Sequence, residues 1–171
     1  VPDAAAAVEV CRALGLSGRP EAVDPLLKIW DALLDRKFRR FGLPPELEAV
    51  RAAAAEGLGR LGDIKAVPVL RRGLIDEDKT VAARSAEALA LLRDAGSAPA
   101  LARLAEGPDD ALARTALEAL GALGGPVAEE ALRKTLDGPR PMLAVSAAYG
   151  LGRQERVVGR LRLEGWLEET V

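Results

Sequence analysis

The sequence predicts an all-α fold built from repeated pairs of helices, and three observations lead to this prediction. Apolar residues make up 49% of the 171 residues while aromatic residues make up only 3%, so the core must be built from alanine, leucine and valine. Alanine and leucine are strong helix formers, whereas β-branched runs are scarce. The other two observations are a 31-residue repeat and turn-forming residues at matching positions of the repeats.

The repeat is visible in columns of similar residues that are spaced 31 positions apart. Three such columns are Leu58, Leu89, Leu120 and Leu151; Val50, Val81, Leu112 and Leu143; and Leu70, Leu101, Leu132 and Leu163. The first repeat is longer, because Leu14 and Leu26 lie 44 residues before Leu58 and Leu70. The sequence therefore predicts a single domain over residues 1–171, with five repeats at about 3–46, 47–77, 78–108, 109–139 and 140–171 and an insertion at about 31–46.

Turn-forming residues divide each repeat into a first and a second helix. Gly62 suits the left-handed position that ends a helix, and Asp63 suits the N-cap of the next helix. Pro68 and Pro99 suit the first turn of the second helix, where a missing N–H costs little. A further column contains only small residues, which predicts a close approach between helices: Gly15, Gly59, Ala90, Gly121 and Gly152.

The segment "VRAAAAEGLGRLGDIKAVPVLRRGLIDED", residues 50–78, and its weaker echoes resemble HEAT-like repeats of the short bacterial type named after phycobilisome-lyase proteins. The resemblance covers nearly the whole chain. It departs in the last repeat, where Gln154 and Glu155 stand in place of leucine and glycine, so the turn between its two helices is not defined. The resemblance implies a right-handed superhelix, or solenoid, with first helices on the convex side and second helices on the concave side. Such surfaces mostly bind other macromolecules.

Composition argues against several classes of site. The chain contains no histidine, which removes histidine-based triads, dyads and metal sites. The single cysteine, Cys11, lies among apolar helical positions, which predicts a buried and unreactive thiol. Acidic loop residues such as Asp78 and Asp109 lack the pattern of a calcium loop and favour helix N-termini instead. We therefore predict no catalytic residue, no metal and no cofactor.

Charge and hydropathy bear on partners and location. The formal net charge is −2, which gives no general attraction to nucleic acid or to anionic membranes. No apolar run reaches the roughly 18 residues of a membrane-spanning helix. The start lacks the features of a signal peptide, and its missing initiator Met is typical of one domain of a longer protein. We expect a cytoplasmic protein without membrane contact.

One cation per repeat is expected on the exposed side of the second helices. Counting about 100° per residue places Arg72 opposite a predicted buried face of Val67, Leu70 and Leu74. The equivalent residues complete a cation row of Lys28, Arg72, Arg103 and Lys134. Beside it runs a predicted ridge of Pro25, Val69, Ala100, Ala131 and Arg162. Two interpretations stay open, because the row could bind an acidic partner or complement the carbonyl ends of the helix dipoles.

The stretch "DRKFRRFGLPPE", residues 35–46, gathers basic and aromatic residues in one place. Its candidate binding residues are Arg36, Lys37, Phe38, Arg39 and Arg40. Arginine with aromatic residues is enriched in binding hot spots, and departures from a repeat often carry function. We interpret the insertion as a recognition element; the alternative is a longer second helix with a solvated basic end.

Three large aromatic side chains have separate expected roles. Trp30 shares a column with Leu74 and Leu136 and is predicted to lie in the core. Tyr149 is expected to be packed. Trp166 lies at the edge of the last repeat, where it predicts contact with further sequence or with a second subunit.

The sequence thus predicts a non-catalytic scaffold that binds another protein with an acidic surface through its concave face and its basic, aromatic insertion. Three alternatives stay open. Nucleic-acid binding is disfavoured because the chain is acidic and poor in aromatics for stacking. A lyase-type accessory protein remains compatible, since the repeat alone specifies no catalytic residue, and an inert spacer or regulatory arm is the third alternative.

Overall fold

The computed structural model describes residues 3–33 and 44–170, with side chains described up to residue 155. The described chain is helical throughout, apart from short turns and loops, which confirms the all-α prediction. It groups into two compact units, residues 1–97 and 98–171. Within the described residues, no helix combines the length and the apolar character needed to cross a bilayer.

The described part of the first unit contains five α-helices. They are α1 (Ala4–Leu16), α2 (Val23–Ala32), α3 (Pro45–Leu61), α4 (Val67–Gly73) and α5 (Lys79–Leu91). The first helices α1, α3 and α5 pack in sequence order, with α3 between the other two. Short 3₁₀ turns precede the second helices at Pro20–Ala22, Ile64–Ala66 and Ala95–Ser97, a feature that the sequence did not predict.

The second unit contains α6 (Ala98–Ala105), α7 (Asp110–Leu123), α8 (Pro126–Leu136) and α9 (Pro141–Thr170). Helix α7 packs against the other three. The last repeat is one continuous helix, so the expected pair of helices is wrong there. Glu155 replaces the glycine that ends the equivalent helix, and neither an N-capping acid nor a proline follows it, so nothing stops the helix.

The predicted turn between the helices of a repeat is confirmed in the second repeat. Gly62 has φ +73° and ends α3 in the left-handed conformation. The Asp63 carboxylate accepts a hydrogen bond from the Lys65 backbone N–H at 2.9 Å and so caps the following turn. The equivalent position after α5 is Arg93, which has φ +52°. An L-residue adopts this conformation only at a cost.

Acidic loop residues cap the first helices, as expected. The Asp78 carboxylate accepts a hydrogen bond from the Val81 N–H at 2.8 Å, and Asp109 accepts one from Leu112 at 2.9 Å. Each bond satisfies a backbone donor that the first turn of a helix leaves without an internal partner. These carboxylates therefore have a structural role in the fold.

The leucine columns form the core. Trp30 and Cys11 are buried, which confirms the predicted burial of both, and burial raises the pKa of the Cys11 thiol. The fully buried leucines of the repeat columns are Leu58, Leu70, Leu89, Leu101, Leu120, Leu132 and Leu143. The core is therefore a continuation of the same side-chain positions from one repeat to the next within each unit.

At three glycines of the small-residue column neighbouring first helices nearly touch, whereas at Gly152 the predicted close approach is wrong, because an added Cβ there would meet no atom of the described residues within 4 Å. A Cβ placed on Gly15 would lie 2.5 Å from the Gly57 Cα, and one on Gly121 would lie 2.7 Å from the Gly150 Cα. Gly59 makes the same kind of approach to α5. Only a residue without a side chain allows the two backbones to come so close.

Candidate protein-interaction site

The cation row lies on the exposed side of the second helices. Arg72, Arg103 and Lys134 each lie in the last turn of their helix, and all three are exposed. A cation at this end complements the carbonyl groups of the helix dipole. Lys28 is also exposed but does not lie in the last turn of α2, so the dipole does not account for it.

In the first unit, one member of the row has a carboxylate nearby. The Arg72 Nη2 lies 3.8 Å from the Asp31 Oδ1, at the end of α2. Both side chains are more than half exposed, so water screens their attraction. A carboxylate from a partner could therefore replace Asp31 at little cost.

In the second unit, Lys134 has a closer partner. Its Nζ donates a hydrogen bond to the Glu106 Oε1 at 2.6 Å. This hydrogen bond, followed by the charge of Glu106, raises the pKa of Lys134 because both stabilise the ammonium form. Arg103 is exposed and takes part in no ion pair within the described residues.

Asp31 and Glu106 occupy equivalent positions of their repeats. In both ion pairs the carboxylate lies in the repeat that precedes the cation in the sequence, so the two pairs have the same arrangement. The equivalent position of the second repeat, which precedes the repeat of Arg103 in the sequence, holds Ile75, and Ile75 is 85% exposed. The repeat before Arg103 therefore has no acidic residue at this position, whereas the repeats before Arg72 and Lys134 do.

The predicted ridge beside the row is wrong at Val69, which is only 7% exposed. Ala100 and Ala131 are half-buried. Helix α4 packs against α5, and Gly73 on α4 also lies close to Trp30. Because α4 has more than one neighbour, more of its surface is buried than the prediction assumed.

Several candidate residues fall outside the part of the chain that the structure describes. They are the insertion residues Arg36, Lys37, Phe38, Arg39 and Arg40. Arg162 and Trp166 belong to helix α9, but their side chains lie outside the described part. The roles of the insertion and of the last repeat therefore stay predictions.

Sequence reasoning missed an apolar patch on α9. Tyr149 is 63% exposed, so the expectation that it is packed is wrong; Met142 and Val145 are 77% and 66% exposed. Leu143 and Ala147 take the buried face of the helix instead. The signal was present in the sequence, because the equivalent positions of the preceding repeats are small or polar.

A group of charged residues joins α3 to the loop before α5. The Arg51 Nη2 contacts the Asp76 Oδ1 at 2.5 Å, and both side chains are about nine-tenths buried. Burial raises the pKa of Asp76 despite this partner. Burial, and then the charge of Asp78, also raises the pKa of Glu48. Within the described residues no three acidic or cysteine side chains form a metal-binding group.

Comparisons with known proteins agree with this architecture. Residues 74–152 match the family model described as HEAT repeats, and residues 50–76 match the one described as PBS lyase HEAT-like repeat. A search of curated proteins gives no match.

Among solved structures, the chain is similar to a chain of the complex of CpcE and CpcF of phycocyanin lyase from Nostoc sp. PCC7120. The two are 30% identical with a TM-score of 0.68, and the match covers 92% of this chain and 62% of that chain. The chain thus spans about three-fifths of the length of that relative. From its repeats, its helix pairs and these matches, the chain is a HEAT-like repeat protein.

Proposed function

We propose that this repeat protein is a non-catalytic module that binds an acidic surface of another protein through the exposed side of its second helices. The observation that carries the proposal is the cation row, with one exposed cation in each of four repeats. Each unit contributes two of these cations, Lys28 and Arg72 in the first unit and Arg103 and Lys134 in the second, and exposed cations of this kind match carboxylates on an acidic partner.

Arg103 is expected to be the strongest single contact among these cations. It is exposed and has no carboxylate partner in the described residues, whereas Arg72 and Lys134 already have Asp31 and Glu106 beside them. A partner that binds Arg103 gains an ion pair without displacing one. The insertion would add a second contact, with Arg39 and Phe38 as anchors in a hot spot.

The experiment is a quantitative affinity purification from lysate of the native host, analysed by mass spectrometry. One variant carries Lys28→Glu and Arg103→Glu, and a second carries Arg36→Glu, Phe38→Ala and Arg39→Glu. Arg133→Glu is the matched control, because Arg133 is exposed on α8 beside Lys134 but pairs with Glu129 on its own helix. Circular dichroism checks that all variants keep their helicity.

The proposal expects an acidic protein that is recovered with wild type and with Arg133→Glu, and that falls at least about tenfold with the Lys28/Arg103 variant. If the partner protein were lost only with the insertion variant, the insertion and not the cation row would be the binding site. Equal recovery with all variants, or recovery of nucleic acid in place of protein, would contradict the proposal.

A second candidate is a lyase-type accessory role. The observation that favours it is the 30% identity to a chain of a phycocyanin lyase structure that is itself a complex of two proteins. Under this alternative the chain pairs with a second subunit, and only the pair has lyase activity. Co-expression with candidate partner proteins from the host, followed by light scattering and a phycocyanin lyase assay, tests it. A stable complex with activity that neither protein shows alone would support this role over a purely non-catalytic module.

A further inference from the structure

The exposed apolar patch on α9 borders a groove between two first helices of the second unit. The groove, called here the α7–α9 groove, has a volume of about 400 Å³. Its main lining residues are Arg114, Glu118, Val145, Ser146, Tyr149 and Arg153. Met142 continues the exposed apolar side of α9 one turn before Val145.

At the equivalent position of the first unit, ion pairs lie across the two first helices. There Arg84 on α5 lies 4.0 Å from Glu56 on α3 and 2.8 Å from Glu87, and Arg60 lies 2.7 Å from Glu56. These charges form a network that spans the two first helices. At this position of the repeat, the surface of the first unit is therefore polar, and its charged groups pair with one another.

The last repeat replaces two charged residues of that network with uncharged ones. Ser146 and Tyr149 occupy the positions of Arg84 and Glu87, so the ion pair that joins the two first helices in the first unit has no counterpart at these positions. Glu118 pairs instead with Arg114 on its own helix, at 2.9 Å.

Two further positions change in the same direction. Val145 and Met142 occupy the positions of Ala83 and Thr80, so larger apolar side chains replace small or polar ones. Four linked changes on one face, three of which leave a large apolar side chain exposed, favour binding over chance, because soluble proteins rarely expose contiguous apolar surface without a partner.

We propose that the α7–α9 groove binds an amphipathic α-helix of another protein, with an acidic residue at the end that meets Arg153. Met142, Val145 and Tyr149 follow the i, i+3, i+7 spacing that a docked helix matches. From Met142 to Arg153 the groove runs about 16 Å, or three helical turns. This surface lies on first helices, so the inference goes beyond the binding proposed for the second helices.

Charge complementarity selects the acidic end. Arg114 is compensated by Glu118, whereas Arg153 is exposed and forms no ion pair within the described part of the chain. The groove therefore carries one uncompensated positive charge at its α9 C-terminal side. A helix with a carboxylate there gains an ion pair, and one with a lysine there meets repulsion.

The test uses a phage-displayed library of 16-residue helical peptides with apolar residues at i, i+3, i+4, i+7 and i+11 and a free choice of glutamate or lysine at both ends. The target is the whole chain. The counter-target is the Val145→Arg, Tyr149→Glu variant, which carries the residues that the preceding repeat has at these positions, Arg114 and Glu118. Because that pair is compatible with a helix of this fold, the variant is expected to fold, and circular dichroism checks it. Should it lose helicity, Met142→Glu takes its place.

The proposal expects enriched peptides with glutamate at one end. Their affinity, measured by fluorescence anisotropy, should fall at least about tenfold with the Val145→Arg, Tyr149→Glu variant and clearly with Arg153→Glu, and should not change with Arg133→Glu. No enrichment over the counter-target, or enrichment of lysine at the ends, would overturn it. If sedimentation shows a wild-type dimer that the Val145→Arg, Tyr149→Glu variant abolishes, the occupant is a second copy of the chain and the proposed partner is wrong.

Discussion

Adding one methyl group at Gly121 should destabilise the protein more than adding the same group at Gly150, although the two residues face each other. A Cβ on Gly121 would lie 2.7 Å from the Gly150 Cα, which is backbone. A Cβ on Gly150 would lie 3.0 Å from a terminal methyl of Leu132 and 3.3 Å from the Gly121 Cα. The Gly150 backbone cannot rotate away from an added methyl group, whereas the Leu132 side chain can change its rotamer.

The size of the difference follows from these distances. Carbon atoms pack best at about 3.5–4.0 Å, so Gly121→Ala must push α7 and α9 about 1 Å apart. Overpacking of this kind costs about 1–3 kcal/mol, and the better helix propensity of alanine returns about 1 kcal/mol at either position. Because backbone resists displacement, we expect the cost at Gly121 to lie near the upper end of this range, so that Gly121→Ala lowers the free energy of unfolding by up to about 2 kcal/mol, and we expect Gly150→Ala to leave it nearly unchanged.

Urea unfolding followed by circular dichroism measures both variants under the same conditions. Gly15→Ala provides a second case in the first unit, since a Cβ on Gly15 meets the Gly57 Cα at 2.5 Å and should therefore also be destabilising. If Gly150→Ala were as destabilising as Gly121→Ala, the account of the small-residue column as a backbone contact would be refuted.

Three further predictions concern other parts of the fold. Gly62→Ala should lower stability by about 1 kcal/mol, and Arg93→Gly should raise it by up to about 1 kcal/mol, because both positions are left-handed; opposite signs in thermal unfolding would contradict this. Arg51→Met should cost about 3 kcal/mol, because it leaves the largely buried Asp76 carboxylate without its partner; a loss below about 1 kcal/mol in urea unfolding would show that the pair contributes little. Burial and Asp78 raise the pKa of Glu48 above 4.5, so the stabilisation linked to its proton is present below that pH and lost as the pH rises through the folded-state pKa. The melting temperature of Glu48→Gln relative to wild type should therefore increase between about pH 4 and pH 7, and a constant difference would argue against a raised pKa.

Local rules were enough to predict the architecture of a repeat. Gly62 and Asp63 act through their own backbone preferences and hydrogen bonds, so their roles are visible in a short segment of sequence. The leucine columns are likewise local patterns repeated at a fixed spacing. These features required no knowledge of how repeats stack.

Features that depend on stacking were not predicted. The ion pair of Arg72 with Asp31, and that of Lys134 with Glu106, join different repeats, and their spacing in sequence only acquires meaning once the second helices are side by side. Val69 is buried for the same reason, because α4 packs against α5, the first helix of the next repeat.

The last repeat shows the limit of arguing from a repeat average. Its sequence departs from the others at Glu155 and at Tyr149, and the structure departs at both places, by a continuous helix and by an exposed ring. Residues that differ from the others in their column therefore indicate where this surface departs from a regular HEAT-like repeat.

Site-specific photo-crosslinking shows directly whether an acidic protein binds the second-helix face. A photo-reactive phenylalanine replaces Ala100, which lies three residues before Arg103 on this face, or Arg12 on the exposed side of α1 as a control. After irradiation in the native host, we expect a protein crosslinked at position 100 but not at position 12, through a segment rich in aspartate and glutamate. No protein crosslink at position 100, or a crosslink to nucleic acid, would contradict the proposed binding.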